Sequence, residues 1–226
     1  PRIRDEHEAA AQPRDGGRPL CCGRTFLTAG LVAEAREEAR RLIEALVPYA
    51  TRGVPIVGLE PSCLLTLRDE LPALLPGPAS GQLAQQALLF EEFLMREHDA
   101  GRLRLALAAR PGQRALLHGH CHQKAFGAMT AVERALGLVP GLEVQTVEAG
   151  CCGMAGAFGY EAEHYALSLR MGELDLLPAV RAAPAGNLIV ADGTSCRQQI
   201  RDGAGREARH VARVLHDVLI PSTAGE

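Results

Sequence analysis

Apolar residues recur at helical spacing between residues 25 and 49 (Leu27, Leu31, Ala35, Ala39, Leu42, Ile43 and Leu46), with arginines and glutamates between them. The pattern predicts one amphipathic helix over 25–49, ended by Gly53. Residues 54–59 are a short apolar run of strand length. Pro61-Ser62-Cys63 then turns into a helix over 64–74, a Pro- and Gly-rich stretch makes a loop over 75–81, and a third amphipathic helix covers 83–97. The second half follows the same logic. It predicts a strand over 115–118, a helix from Cys121 to about 136, a strand over 142–148 and a helix over 160–174. A strand over 187–191 then runs into a helix opened by Ser195-Cys196. Strands alternating with helices at this spacing predict parallel α/β units.

The two halves are related by a repeat. Gly53-x-x-Ile56-Val57-x-x-x-x-Ser62-Cys63-x-x-x-x-Arg68-Asp69 matches, without a gap, Gly186-x-x-Ile189-Val190-x-x-x-x-Ser195-Cys196-x-x-x-x-Arg201-Asp202. The fold expected is α/β with two pseudo-symmetric lobes, each a small parallel sheet with flanking helices. The lobes span 19–110 and 111–220, between tails at 1–18 and 221–226. Ser62 and Ser195 are expected near helix N-caps, with Arg68-Asp69 and Arg201-Asp202 in matching packing roles. The first lobe lacks the strand and helix that carry Cys121 in the second. With Pro1 at the start, the chain reads as a fragment whose missing unit lies upstream.

All seven cysteines fall inside this repeat. Cys21-Cys22-Gly23 and Cys151-Cys152-Gly153 place two thiols in a tight turn, where glycine permits the φ angles required. Cys63, Cys121 and Cys196 each stand at a strand-to-helix turn, where backbone N–H groups and the helix dipole favour a low-pKa thiolate. In a parallel sheet such turns emerge at the carboxyl edge. Cys121, Cys151, Cys152 and Cys196 are thus a complete set for a 4Fe–4S cluster or for tetrahedral zinc. Cys21, Cys22 and Cys63 make a weaker metal site, one ligand short, open to a histidine, to Glu60 or to an upstream residue. The rival reading for all seven is inert buried thiols. His118, His120 and His122 alternate around Cys121, as ligand, proton relay or substrate contact, or as outer hydrogen-bonding groups. His120, His122 and Gly153 are taken in that outer role. The glycine-rich run 153–159 lacks the lysine and spacing of a phosphate loop, so it reads as backbone packed close to a cluster.

Composition narrows the context. The chain has 226 residues, 47% hydrophobic and 23% charged, with net charge -3 and pI near 6.3. Nothing points to a nucleic-acid or acidic-membrane partner. No apolar run reaches the about 20 residues of a membrane span, and no leader pattern opens the chain. An odd number of cysteines, with two adjacent pairs, argues against a disulfide framework and for a reducing cytoplasm.

These residues resemble the cysteine-rich CCG domain, which occurs twice in the catalytic subunit of heterodisulfide reductase and in the glycolate oxidase iron–sulfur subunit. The stretches PLCCGRTF, GLEPSCLLTLRDE, HGHCHQKA, GCCGMAG and GTSCRQQI are most similar to the C-terminal part of FAD-linked D-2-hydroxyglutarate and D-lactate dehydrogenase-like oxidases. The likeness covers about residues 18–220. It implies an iron–sulfur electron-transfer module of a 2-hydroxy-acid dehydrogenase, part of an oxidoreductase, passing electrons from flavin toward an acceptor such as a quinone or redox protein. It also implies FAD and ferredoxin-like domains on the parent protein or a partner, and a cytoplasmic site, peripheral to the inner membrane at most. The alternative is a zinc-binding structural or docking module. Glu60 and Gly193 stand where heterodisulfide reductase has a further cysteine, so its five-thiolate clusters are not implied.

Overall fold

Gly30 divides the first predicted helix. In the computed structural model, which describes residues 18–221, α1 (Arg24–Thr28) and α2 (Val32–Ala50) are separate. Gly30 sits at φ 75°, a left-handed conformation that stops a helix. Apart from Arg18 and Pro221, the predicted tails lie outside the described residues. α2 buries Ala35, Glu38, Ala39 and Leu42. The buried Glu38 carboxylate is paired with Arg41 at 2.6 Å and with Arg18. Arg41 also donates to the Arg18 carbonyl at 2.8 Å, tying the segment before Cys21 to α2.

The next stretch departs most from expectation. β1 (Ile56–Gly58) leads into α3 (Pro61–Thr66), and a turn separates α3 from α4 (Glu70–Leu74), so the predicted helix 64–74 is two. Pro72 explains the break, because a proline ring clashes with the carbonyl four residues earlier, here that of Arg68. α5 (Pro78–Gln86) begins inside the predicted loop, with Pro78 in its first turn. β2 (Ala87–Leu89) interrupts the predicted helix 83–97, which resumes as α6 (Phe90–Asp99). Ala87-Leu88-Leu89 suits helix or strand, and pairing with β1 decides it. The Glu92 carboxylate accepts from the Leu89 N–H at 2.8 Å and starts α6.

β3 (Arg114–His118), α7 (Cys121–Ala125), α8 (Met129–Gly137) and β4 (Glu143–Thr146) follow. Gly127, at φ 67°, splits the helix expected after Cys121. A short 3-10 turn (Phe158–Tyr160) precedes α9 (Tyr165–Gly172), and α10 (Leu176–Ala182) forms where the sequence pattern predicts no element. The chain ends with β5 (Leu188–Ala191), α11 (Thr194–Ala204), β6 (Ala208–Arg209) and α12 (Val211–Asp217).

The protein is α/β, with two small parallel sheets flanked by helices. One pairs β1 with β2, and the other has the order β4-β3-β5-β6. In the larger sheet Leu117 pairs with Thr146 on one side and Val190 on the other. Successive side chains of its central strands serve opposite faces. Ala115, Leu117 and Val190 pack with Leu94, Val132, Leu136 and Val214 from α6, α8 and α12. Leu116, Ile189 and Ala191 pack with Leu176, Val180 and Ile200 from α10 and α11. Burial on both faces explains why these strands read as continuous apolar runs.

The described residues form two compact units, 18–56 with 66–87, and 57–65 with 88–221. In the first, α2 packs on α4 and α5 around Ala39, Leu71 and Leu83. The second holds the four-stranded sheet. Both repeat copies run strand, turn, helix, as β1 into α3 and β5 into α11. Ser62 and Ser195 are the second residues of their helices. The matching roles expected of the Arg-Asp pairs do not hold. Arg68 lies in the turn after α3 and donates to the Ala87 carbonyl at 2.8 Å, whereas Arg201 stays within α11 beside Gln198.

Candidate metal centre

β3, β4 and β5 deliver their cysteines to one edge of the sheet. From β3 the chain crosses to β4 on one side, and β5 lies on the other, so β3 and β5 flank a topological switch point. Cys121 is the first residue of α7, Cys196 the third of α11, and Cys151-Cys152 lie in the loop after β4.

Their thiols form a chain of neighbours that act on one another: Cys121 on Cys151, Cys151 on Cys152, and Cys152 on Cys196. Cys152 and Cys196 are 4% and 2% exposed, within the apolar core, while Cys121 is exposed. None of the seven cysteines forms a disulfide.

The crowding governs ionisation. Cys121 is raised above the ordinary thiol range by its hydrogen bond to Cys151 and then by burial. Cys152 is raised by its hydrogen bonds to Cys151 and Cys196 and by burial. Cys151 is lowered by the hydrogen bonds of Cys121 and Cys152. Cys196 is lowered by that of Cys152, against burial, with further help from His118. The helix N-terminus therefore does not make Cys121 a low-pKa sulfur, because its neighbour takes the negative charge. Four neighbouring thiols that raise and lower one another in this way cannot all ionise unaided, and a soft cation that displaces their protons fits this set.

Surrounding groups fix the turns. His120 caps α7, its Nδ1 accepting from the His122 N–H at 3.2 Å and lying 3.9 Å from the Cys121 sulfur. The Gln123 side chain accepts from the His120 N–H at 3.0 Å and donates to Asp192 at 2.8 Å, locking the Cys121 turn to the end of β5. His122 stands 5.1 Å from His120, ring to ring. At Gly193 an added Cβ would come within 2.4 Å of the His120 ring and 3.2 Å of the Cys196 sulfur. At Gly153, φ is 95° and the N–H points at the Cys151 sulfur, 3.3 Å away. The first unit repeats this turn, with Gly23 at φ 80° and its N–H 3.4 Å from the Cys21 sulfur. Cys21 and Cys22 belong to that unit and are half-buried, while Cys63 belongs to the second unit and is exposed.

Two residues besides the four cysteines stand at the centre, and one of them, His118, is among the three histidines singled out in the sequence. His118 ends β3, is 1% exposed, and has no nitrogen or oxygen partner on either ring nitrogen. One of its ring nitrogens and the sulfurs of Cys152 and Cys196 all lie within 4.8 Å of one another. The alternation of histidines around Cys121 is the sequence signal for it. Lys124, the only lysine of the chain, donates to the carbonyls of Ala149 and Gly150, the latter at 2.9 Å, and its charge acts on all four sulfurs. It thereby ties α7 to the Cys151 loop.

Glu60 is fully engaged elsewhere than in metal binding. One carboxylate oxygen accepts from the Ser62 hydroxyl at 2.7 Å, and the other from the Thr194 N–H and hydroxyl, both at 2.8 Å. It caps α11, the helix that carries Cys196. Burial pushes its carboxyl up, but the combined hydrogen bonds of Ser62 and Thr194 outweigh it and hold the group below the usual range. That stabilisation exists above the unfolded value of 4.5 and is lost as pH falls through the folded value. Glu60→Ala is expected to cost about 1–2 kcal/mol at neutral pH, with the gap closing in acid. Denaturant unfolding of both proteins across that range checks it, and an equal gap at every pH would mean the carboxylate charge is not the cap.

Residues 115–201 match the cysteine-rich domain family CCG. The chain is 28% identical over 200 residues to one subunit of the anaerobic glycerol-3-phosphate dehydrogenase of Escherichia coli K12, covering 88% of this chain and 49% of that one. It is 30% identical over 191 residues to the D-2-hydroxyglutarate dehydrogenase of the same organism, covering 84% of this chain but 18% of the relative. Lactate utilization protein A 1 of Bacillus mycoides is 24% identical over 213 residues, covering 87% of this chain and 81% of the relative. The chain thus spans about half of the first relative and less than a fifth of the second. The segment from β3 into α11, residues 115–201, belongs to the CCG cysteine-rich domain family.

Proposed function

We propose that this chain is an iron–sulfur electron-transfer module of a flavin-dependent dehydrogenase, holding a 4Fe–4S cluster on Cys121, Cys151, Cys152 and Cys196. The observation that carries the reading is the meeting of these four sulfurs at one sheet edge. The names of the relatives support a dehydrogenase context. They divide between a polyol phosphate and hydroxy acids, and the five sequence stretches favour a 2-hydroxy acid of the D-2-hydroxyglutarate, D-lactate or glycolate type. FAD and a ferredoxin-like relay then reside on the parent protein or a partner, and the acceptor is a quinone or redox protein. This chain alone does not oxidise the substrate. Among the described residues, no helix is long and apolar enough to cross a membrane.

A bound cluster supplies reversible one-electron storage. The chain's own part is to hold and tune it. Lys124 sets a positive charge against the four sulfurs and pins the loop of two of them. Met154, Ile200 and Val147 wall the Cys152 and Cys196 side with apolar surface, which keeps water from those sulfurs. Cys121 is left at the surface, the natural side for electron entry or exit.

Mixed sulfur and imidazole sets favour a second reading, because His120, Cys121 and His122 also bring ligand atoms within 4.8 Å of one another. Such donors suit zinc in a structural or docking role. Anaerobic purification, a visible absorption spectrum and metal analysis separate the two. Broad brown absorbance with iron and acid-labile sulfide is expected. Colourless protein containing zinc and no iron would establish the second reading instead.

A further inference from the structure

We propose that Glu91, Asp192 and His210 form a second metal site, for a divalent first-row cation, separate from the sulfur centre. All three belong to the second unit. Glu91 lies in the first turn of α6, Asp192 directly follows β5, and His210 stands between β6 and α12. One ligand atom from each lies within 4.8 Å of the other two. Glu91 and Asp192 are each 1% exposed.

The hydrogen bonds leave an electron-rich space between them. The Leu59 carbonyl can only accept, so His210 places its N–H on Nε2, 2.7 Å away, and keeps its lone pair on Nδ1, where the Ala212 N–H donates to it. Nδ1 then lies 3.4 Å from Asp192 Oδ1, a contact between two acceptors. Glu91 Oε1 is buried with no hydrogen-bond partner. No arginine or lysine among the described residues pairs with either carboxylate. Two buried carboxylates of like sign are costly without a cation between them.

The outer contacts are those of a ligand set held in place from behind. A metal-bound histidine typically donates its other ring N–H to a carbonyl, and ligating carboxylates are themselves hydrogen-bonded. His210 has Leu59 for this, and Asp192 receives the Gln123 amide at 2.8 Å and the Val211 N–H at 3.0 Å. The Ala212 N–H also reaches His210 Nδ1, at 3.0 Å, and the cation would take over that lone pair. Two carboxylates and an imidazole are oxygen and nitrogen donors, suited to Mn²⁺, Fe²⁺ or Zn²⁺, whereas the sulfur centre is soft. Through Gln123, which also holds the His120 N–H, the bound cation would brace the turn that carries Cys121.

The test is titration of the anaerobically purified full chain with Mn²⁺, which thiolates bind poorly. Free Mn²⁺ is followed by electron spin resonance, beside the thermal midpoint. Expected are one Mn²⁺ per chain with micromolar affinity, a rise in midpoint, and binding weakened about tenfold or more in Glu91→Gln and in His210→Gln. Cys152→Ser, which addresses the sulfur centre, should bind Mn²⁺ as the parent does. Absence of binding at millimolar Mn²⁺ overturns the proposal and leaves a proton as the neutralising charge. Unweakened binding in a folded Glu91→Gln overturns it as well. Either result leaves the iron and sulfide content untouched, so its failure is distinct from failure of the electron-transfer reading.

Discussion

Replacing Cys152 with serine is expected to strip the protein of most of its iron and sulfide. Cys152 is the middle of the sulfur set, acted on by both Cys151 and Cys196, and it is 4% exposed. A serine hydroxyl is a harder donor that stays protonated at neutral pH, so the soft metal loses a ligand and gains a buried polar group in exchange. Loss of affinity should exceed the about 10–100-fold seen when an outer hydrogen-bond partner of a ligand is removed. Cys22→Ser alters the equivalent turn of the first unit and should leave most of the iron in place. Iron and sulfide per chain, measured for both variants beside thermal unfolding, decides the matter. Equal loss in the two variants would sink the assignment of one cluster to the four second-half cysteines.

Gly153→Ala should be as damaging without touching a sulfur. Gly153 sits at φ 95°, and an added Cβ would lie 2.1 Å from the backbone carbonyl oxygen of Ser168 and 3.2 Å from the Gln199 amide. The Gln199 amide donates to that same carbonyl at 3.0 Å, so the obstacle cannot swing aside as a side chain would. The strained φ and the overlap with backbone together should cost roughly 3 kcal/mol or more. The relief available is to move the Cys151-Cys152 turn away from Cys196, so cluster content and stability should fall together. Gly150→Ala is the control, since nothing lies within 4 Å of the position a Cβ would take there. Normal iron content and an unchanged thermal midpoint in Gly153→Ala would show that the turn tolerates a different path.

How much of the molecule is legible in its sequence depends on whether the cause is local. The strands of the larger sheet are readable because burial on both faces requires apolar runs, and the run ending at Ala191 can serve no other purpose. The double-cysteine turns are readable because Gly23 and Gly153 carry their conformational reason in their own residue type. The helix breaks at Gly30, Gly127 and ahead of Pro72 have local causes too, but their neighbourhoods keep an apolar rhythm that reads straight through them. β2 is hidden because Ala87-Leu88-Leu89 has no preference strong enough to override a partner strand. Glu60 is the least accessible of all, because its purpose is set by Thr194, far away in sequence, and beside Cys63 it reads instead as a spare carboxylate for the weaker metal site. His118 is visible as one of three alternating histidines, but only the direction of β3 shows which of them faces the core sulfurs.

The insertion of residues 57–65 into the second unit bears on how the protein can be dissected. An internal repeat suggests a tandem duplication whose copies could be parted by a single cut. Here that cut does not exist. Any fragment retaining the four-stranded sheet but starting after α5 forfeits Glu60, and with it the cap of the helix bearing Cys196, along with the Leu59 carbonyl that orients His210. An expression clone that treats the later copy as autonomous would deliver a chain with its four cysteines and sheet intact but without the Glu60 cap of α11 and the Leu59 contact of His210.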